Sequence, residues 1–303
     1  MLHLTIGIFG DEELIKKLGK KGTCNDIEIY NHGSSEAVFT FIRPNSEKIQ
    51  PLLQVIGIID IPVIVVKELT KEIGEMIIAI DCKGFGNGFI LSSNPDSLKA
   101  FIRGTSLENF TILEEDENIL RQELIKIIIE REKDKDPFIL VDNAFNVKSI
   151  GTVVLGIVKE GRVKKHDKLQ LEPLGREILV KSIQSQDRDI EEADAGTRIG
   201  LSIKGAEADE IKRGSVICKN INKSKEFSIV FEKSKYCKEE LTPNATIFLS
   251  IESQVSVATI TSHEQNTLRV KTEHELTYRK DNQCIIASTR GIIPRIIGKG
   301  RLQ

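Results

Sequence analysis

The charged run Arg131-Glu-Lys-Asp-Lys-Asp136, closed by Pro137, divides the chain into two kinds of hydrophobic periodicity. Before it, short apolar runs alternate with segments of helical period: a strand at 4–8, a helix at 11–18, strands near 27–30 and 37–41, a helix from Ser46, a strand at 61–66, a helix opened by Thr70 and a strand at 89–91. That alternation predicts an α/β domain built on a mostly parallel sheet. Its last helix is expected over 117–132, where Ile119, Leu120, Leu124, Ile127 and Ile128 share one helical face. After Pro137 no helical period persists. Apolar or alternating segments at 152–158, 168–171, 178–183, 197–203 and 216–218 are punctuated by glycines, the pattern of a small β-barrel. A polar linker at 219–225 leads to a second β unit with segments at 227–231, 245–251, 255–260, 267–271, 274–278, 283–287 and 292–297. Three domains follow: 1–136 α/β, 137–220 β-barrel and 225–303 β-barrel.

With 303 residues the chain is too long for one ordinary core. Its apolar runs, such as Val63 to Val66 and Ile127 to Ile129, fall far short of the ~20 residues that span a bilayer, and Met1 to Gly10 lacks a secretory pattern. A cytoplasmic protein without a membrane partner is expected. Five cysteines, Cys24, Cys82, Cys218, Cys237 and Cys284, include no CxxC pair, which argues against disulfides and zinc. The net charge of −2 conceals an asymmetry. Residues 1–136 carry 16 Lys/Arg against 23 Asp/Glu, whereas 137–303 carry 27 against 22. A mildly basic second half is compatible with RNA as a partner.

Four blocks carry a resemblance: Gly151-Thr-Val-Val-Leu-Gly156 through Gly161, Lys181-Ser-Ile-Gln-Ser185, Ala195-Gly-Thr-Arg-Ile-Gly200 through Gly205, and Ile211-Lys-Arg-Gly214. In order and spacing they resemble the second domain of elongation factors of the EF-Tu/SelB type, and Arg295-Ile-Ile-Gly298-Lys-Gly300-Arg-Leu resembles the closing strand of that family's third domain. Leu18-Gly-Lys-Lys-Gly-Thr23 and Gly74-Glu-Met-Ile-Ile-Ala-Ile-Asp81 are similar to the SelB-like (EF-Pyl-like) factors of methanogenic archaea, some proposed to serve pyrrolysine. The resemblance spans most of the chain and is strongest over 138–218. It implies a GTPase-like α/β domain followed by two EF-Tu-like β-barrels.

The same resemblance implies three nucleotide motifs, all degenerate here. A P-loop, G-x-x-x-x-G-K-S/T, cradles phosphates on backbone N–H groups, neutralises them with lysine and holds magnesium with a hydroxyl. Begun at Gly7, the pattern places Glu12, Glu13 and Leu14 where glycine, lysine and Ser/Thr belong. Two like charges 4 Å apart repel by about 4 kcal/mol at an effective dielectric near 20, so the reversal of sign opposes phosphate. The DxxG element falls on Phe41-Ile-Arg-Pro44, and the guanine-reading NKxD becomes Ser93-Asn-Pro-Asp96, keeping Asp96 as a remnant. The short span from Asn31 to Ala37 leaves little room for a first switch loop. No cofactor is expected, with GTP and magnesium as the alternative, and GTP hydrolysis is not expected.

Lys16, Lys17, Lys20 and Lys21 flank Gly19 where cations suit a helix end and glycine suits its cap; Glu114 to Glu117 suit a helix start. His3, His32, His166, His263 and His274 have no motif partners, so no catalytic or metal-ligating constellation is expected. In the resembled family the second domain receives the aminoacyl end of tRNA. Arg162, Lys164, Lys165 and His166, with Gln186-Asp-Arg188, are the basic or polar candidates nearest its blocks, against the plainer reading of a solvated strand edge. Arg290, Arg295, Lys299 and Arg301, with no acid after Asp281, are candidates for RNA phosphates or for docking on the first domain. The expected function is a SelB/EF-Tu-like translation elongation factor paralogue that binds tRNA or the ribosome, with other translation components as further candidate partners, and not DNA. The alternatives are a divergent translational GTPase that still binds GTP and a protein-interaction scaffold without RNA.

Overall fold

The computed structural model describes residues 1–132 and 134–303, so Lys133 of the boundary run lies outside the described residues. The chain divides into two compact units. One holds Met1–Ile127, Lys225–His274 and Lys280–Gln303; the other holds Ile128–Ser224 and Glu275–Arg279.

The α/β layer of the first unit runs β1 (Leu2–Phe9), α1 (Glu12–Leu18), β2 (Lys20–Cys24), β3 (Ile27–Gly33), β4 (Ala37–Pro44), α2 (Ile49–Ile58), β5 (Ile61–Val65), α3 (Lys71–Lys83), β6 (Phe89–Leu91), α4 (Pro95–Ile102), β7 (Thr111–Leu113) and α5 (Glu117–Ile125). The sheet order is β2-β3-β4-β1-β5-β6-β7. The strands β4, β1, β5, β6 and β7 are parallel, and β2 and β3 extend one edge antiparallel. Burial on both faces explains why β1, β4 and β5 read as nearly continuous apolar runs. Thr70 caps α3 by accepting from Ile73 N–H, and Asp116 caps α5 by accepting from the N–H groups of Asn118 and Ile119.

Two local expectations fail. The last helix stops at Ile125 rather than Glu132: Lys126 and Ile127 close with tight bonds to Glu123 and Leu124, and Ile128 is 87% exposed. Past Leu124 the apolar period has no surface to cover. Gly19 is extended, at φ −157°, rather than a left-handed cap, and leads straight into β2. A side chain there would press on the backbone of Asn31, which lies 3.0 Å from the Cβ position.

The second unit holds the first barrel: β8 (Phe138–Val147), β9 (Gly151–Glu160), β10 (Arg162–Lys164), β11 (Lys168–Glu172), β12 (Arg176–Ser185), β13 (Arg188–Ile190), β14 (Glu192–Asp194), β15 (Arg198–Lys204) and β16 (Val216–Cys218). Six strands in the order β11-β16-β8-β9-β15-β12 close through the β11–β12 pairing. Inward side chains such as Val141, Val154, Val180, Leu201 and Ile217 fill the centre. Gly156 is required where β9 pairs with β8 beside a bulge, because a Cβ would sit 2.5 Å from the carbonyl oxygen of Leu140.

The remaining strands, β17 (Asn222–Lys233), β18 (Thr246–Ile251), β19 (Gln254–Glu264), β20 (Thr267–Tyr278), β21 (Gln283–Ser288) and β22 (Ile296–Leu302), close a second six-stranded barrel in the order β17-β20-β19-β18-β21-β22. The polar stretch expected as a linker already enters β17 at Asn222, and the last strand begins at Ile296, beyond Pro294. Within the first unit α2 and α3 pack on this barrel. Gly57 of α2 lies so close that an added Cβ would be 1.8 Å from the carbonyl oxygen of Glu252.

Candidate functional site

The carboxyl edge of the parallel sheet holds a depression of about 650 Å³ on the line where β1, β4 and β5 end. Gly7, taken as the start of a phosphate loop, lies inside β1 opposite Ile42 and Pro62, so the strand runs on to Phe9 and only Gly10 and Asp11 separate it from α1. Gly10, at φ +85°, makes the turn. The Asp11 carboxylate accepts from Glu13 N–H at 2.6 Å and from Lys67 Nζ at 2.6 Å. Burial pushes this carboxyl up, but the hydrogen bonds from Lys67 and Glu13, with the lysine's charge, hold it below its ordinary value. Lys67 is also 3.1 Å from Glu115, and its two carboxylate partners raise its own pKa.

Glu12 faces the depression and lies 3.5 Å from Arg43, which contacts the buried Glu28 at the same distance. Glu13 turns to Lys16 at 2.6 Å, and Leu14 is buried. Arg43 and Pro44 line the depression from the end of β4, with Glu68, Thr70 and Glu72 opposite. Asp96 does not join them. It lies in the first turn of α4, its side chain 90% exposed and 3.4 Å from Lys99. The connection between β3 and β4 is only residues 34–36.

The basic candidates of the first barrel are brought together, with acids. Strand β10 pairs with β14, which sets Arg162 opposite Asp194 and Lys164 opposite Glu192. Arg162 contacts Asp194 at 2.5 Å and Glu192 at 2.9 Å, Lys164 contacts Glu192 at 3.4 Å and Lys165 contacts Glu191 at 3.3 Å. His166, left-handed at φ +72°, donates its N–H to Val180. Gln186 and Asp187, also left-handed, form the hairpin turn that leaves Arg188 exposed.

Of the tail candidates, Arg295 is a docking residue. Its backbone N–H and Nε donate to Glu75 Oε1 at 2.6 and 3.0 Å, Nη2 donates to Oε2 at 2.5 Å, and Nη1 donates to the carbonyl of Glu47 at 2.7 Å. Glu75 is 3% exposed. Lys299 lies 3.6 Å from Glu232, Arg290 is exposed at 3.2 Å from Glu239, and Arg301 is exposed on β22.

Sequence reasoning missed Glu75 and a second buried carboxylate, Asp142, which meets Arg198 at 3.2 Å while Arg213 donates to its carbonyl. Among the described residues, Arg198 Nε and one Asp142 oxygen have no hydrogen-bond partner. The available signal was a lone carboxylate in the otherwise apolar run 138–142. The five cysteines are free, and among the described residues no group of His, Cys, Asp and Glu is arranged to hold a metal. No helix among them is long and apolar enough to cross a membrane.

The family model for elongation factor Tu domain 2 matches residues 151–218. Over its full length and that of the relative, the chain is 33% identical to the uncharacterized protein MJ0325 of Methanocaldococcus jannaschii. It is 32% identical over 136 residues to the selenocysteine-specific elongation factor of the same organism, a match covering 44% of this chain and 29% of that protein. Elongation factor 1-alpha of Desulfurococcus mucosus is 40% identical over 76 residues, 25% of this chain and 17% of that one. Among solved structures, translation elongation factor SelB of Methanococcus maripaludis in complex with the GTP analogue GppNHp superimposes with a TM-score of 0.85 at 21% identity, over all of this chain and 79% of that one.

Proposed function

The chain belongs to the EF-Tu/SelB-type elongation factor family, and we propose that it acts there as a tRNA- or ribosome-binding factor that neither holds nor hydrolyses GTP. The observation that carries this reading is the Asp11 carboxylate on the N-terminus of α1. A helix start beside a parallel sheet edge attracts anions through free N–H groups and the helix dipole. Here the chain supplies its own anion, bound at 2.6 Å and fixed by Lys67. A phosphate would have to displace it and then face Glu12, while Leu14 offers magnesium no hydroxyl and the buried, apolar Phe41 stands at the position of the DxxG carboxylate. The residues at this edge therefore do not fit GTP and magnesium.

Titration with a fluorescent GTP analogue, with and without magnesium, tests this half of the proposal. No saturation at micromolar protein is expected, and tight magnesium-dependent binding would refute it. The RNA half is supported by the family and by the exposed cations Arg188 and Arg290. Salt-dependent tRNA binding is expected, weakened and with a shallower salt slope in Arg188→Gln/Arg290→Gln. Neutralisation of Arg162, Lys164 and Lys165 by Glu191, Glu192 and Asp194 favours the second reading, a protein-interaction scaffold. Absence of tRNA and ribosome binding at low salt would select it.

A further inference from the structure

A second depression, about 540 Å³, opens within the first unit beside the carboxyl end of α3. Cys82 and Gly84 border one side, and β17 and β22 the other. Strand alternation turns Lys299 and Arg301 to the same face of β22, where they stand opposite Glu232 and Val230 of β17. Glu232, 3.6 Å from Lys299, is the one acid among the lining residues; Lys233 borders the depression from the next position of β17, whose side chain leaves the strand on the other face. Neither Lys233 nor Arg301 makes an ion pair among the described residues. Cations beside a helix end relieve its partial negative charge, but one suffices for that, and Lys83 already lies in the last turn of α3.

Two further features separate this place from an ordinary solvated strand. Val230 is 47% exposed in the depression, an apolar surface next to a planar guanidinium. Gly84, left-handed at φ +68°, has no atom within 4 Å of its Cβ position, so its backbone borders open space. A concave site of one dominant sign concentrates counter-ions, and its volume falls in the range that encloses a small ligand.

The geometry points to a binding site for a small phosphorylated ligand of nucleotide size: Lys299 and Arg301 take the phosphate oxygens, Val230 meets the apolar part, and Asn266 and Gln283 also line the recess. This site is separate from the edge at Asp11 and needs no magnesium. A recess favours a compact anion over an RNA duplex, whose phosphates follow an open surface.

Isothermal titration of the full chain with inorganic tripolyphosphate, AMP and a single-stranded oligoribonucleotide, without magnesium, tests it. Tripolyphosphate and AMP are expected to saturate the protein, and Lys299→Gln/Arg301→Gln to weaken both by about tenfold or more. The weakening by Lys299→Gln/Arg301→Gln is read without magnesium and with the Asp11 edge left intact, so failure here is distinct from failure of the GTP reading. In the unsubstituted protein, tripolyphosphate is expected to shift the amide resonances of Gly84 and Gly300. No binding at millimolar tripolyphosphate in low salt, equal binding by the double variant, or binding of the oligoribonucleotide alone would each overturn the assignment.

Discussion

Replacing Arg295 by methionine keeps the length of the side chain but leaves Glu75, 3% exposed, without its cation. Two side-chain hydrogen bonds to Glu75 and one to the carbonyl of Glu47 are lost, and only the backbone N–H of residue 295 still reaches the carboxylate. Stranding one member of a buried pair costs about 3–5 kcal/mol, far above the ~0–1 kcal/mol of an exposed pair such as Lys299–Glu232. For a unit of this size that is a fall in melting temperature of about 6–20 °C. Adding Glu75→Gln removes the stranded charge while keeping an acceptor for the residue 295 N–H. The double variant Arg295→Met/Glu75→Gln is therefore expected to recover about half of the loss, a favourable coupling that independent sites do not show. Urea denaturation followed by circular dichroism gives the energies, and hydrogen exchange places them, with α3 and β22 losing protection together. A loss below about 1 kcal/mol for Arg295→Met, or additive losses in the double variant, would refute the reasoning that this pair holds helix and barrel together.

Gly57→Ala inserts a methyl group 1.8 Å from the carbonyl of Glu252, and a loss of about 3 kcal/mol in the same denaturation assay is expected. Asp11→Ala removes the cap of α1, at about 1 kcal/mol. Because the folded-state pKa of Asp11 is depressed, its contribution is present above the unfolded-state pKa and lost as pH falls through the folded value. The variant is therefore expected to differ from the parent at neutral pH and to converge with it in acid. Burial pushes the thiols of Cys82 and Cys284 up to about 12 and that of Cys218 to about 11. Iodoacetamide at pH 8 is expected to label exposed Cys24 first, and those three only after unfolding, as mass spectrometry would show.

The barrels were legible because their code is local. Gly156 marks a close approach of two paired strands, and alternation such as that of Ile199, Leu201 and Ile203 marks a face. The helix caps Thr70 and Asp116 were legible for the same reason, since a cap and its N–H partner lie within three residues. Charge was not legible in this way. Lys164 and Lys165 stood open between a basic patch and a solvated strand edge until Glu192 of β14 and the adjoining Glu191 came beside them, and Arg295 stood open between an RNA contact and a docking residue because Glu75 lies 220 positions away. A side chain's charge is in the sequence, but its field depends on what the fold places within a few ångströms. The Asp11 edge fell between these cases: the acids Glu12 and Glu13 stood out, but Asp11, the residue on the helix terminus, was passed over because Gly7 was taken as the loop instead of part of β1.

The contacts of α2 and α3 bear on the reading proposed for the sheet edge. A nucleotide switch needs an element with two arrangements close in energy, which the ligand then separates by its differential affinity. Here α2 abuts the barrel through Gly57 with no room for a methyl group, and α3 adds the buried Glu75–Arg295 pair and the contact of Lys83 with Glu252 at 3.7 Å. Displacing these helices would strand a buried carboxylate, at about 3–5 kcal/mol, before any apolar surface is counted. On the reading proposed for the Asp11 edge, a phosphate gains too little there to offset that cost, since the two cations that line it are already paired: Lys67 with Asp11, and Arg43 with Glu12. A chain that does not gain by moving is expected to keep one arrangement within this unit. Hydrogen exchange of α2 and α3 should then be the same with and without GTP and magnesium, and nucleotide-dependent protection there would show that the edge still drives a switch.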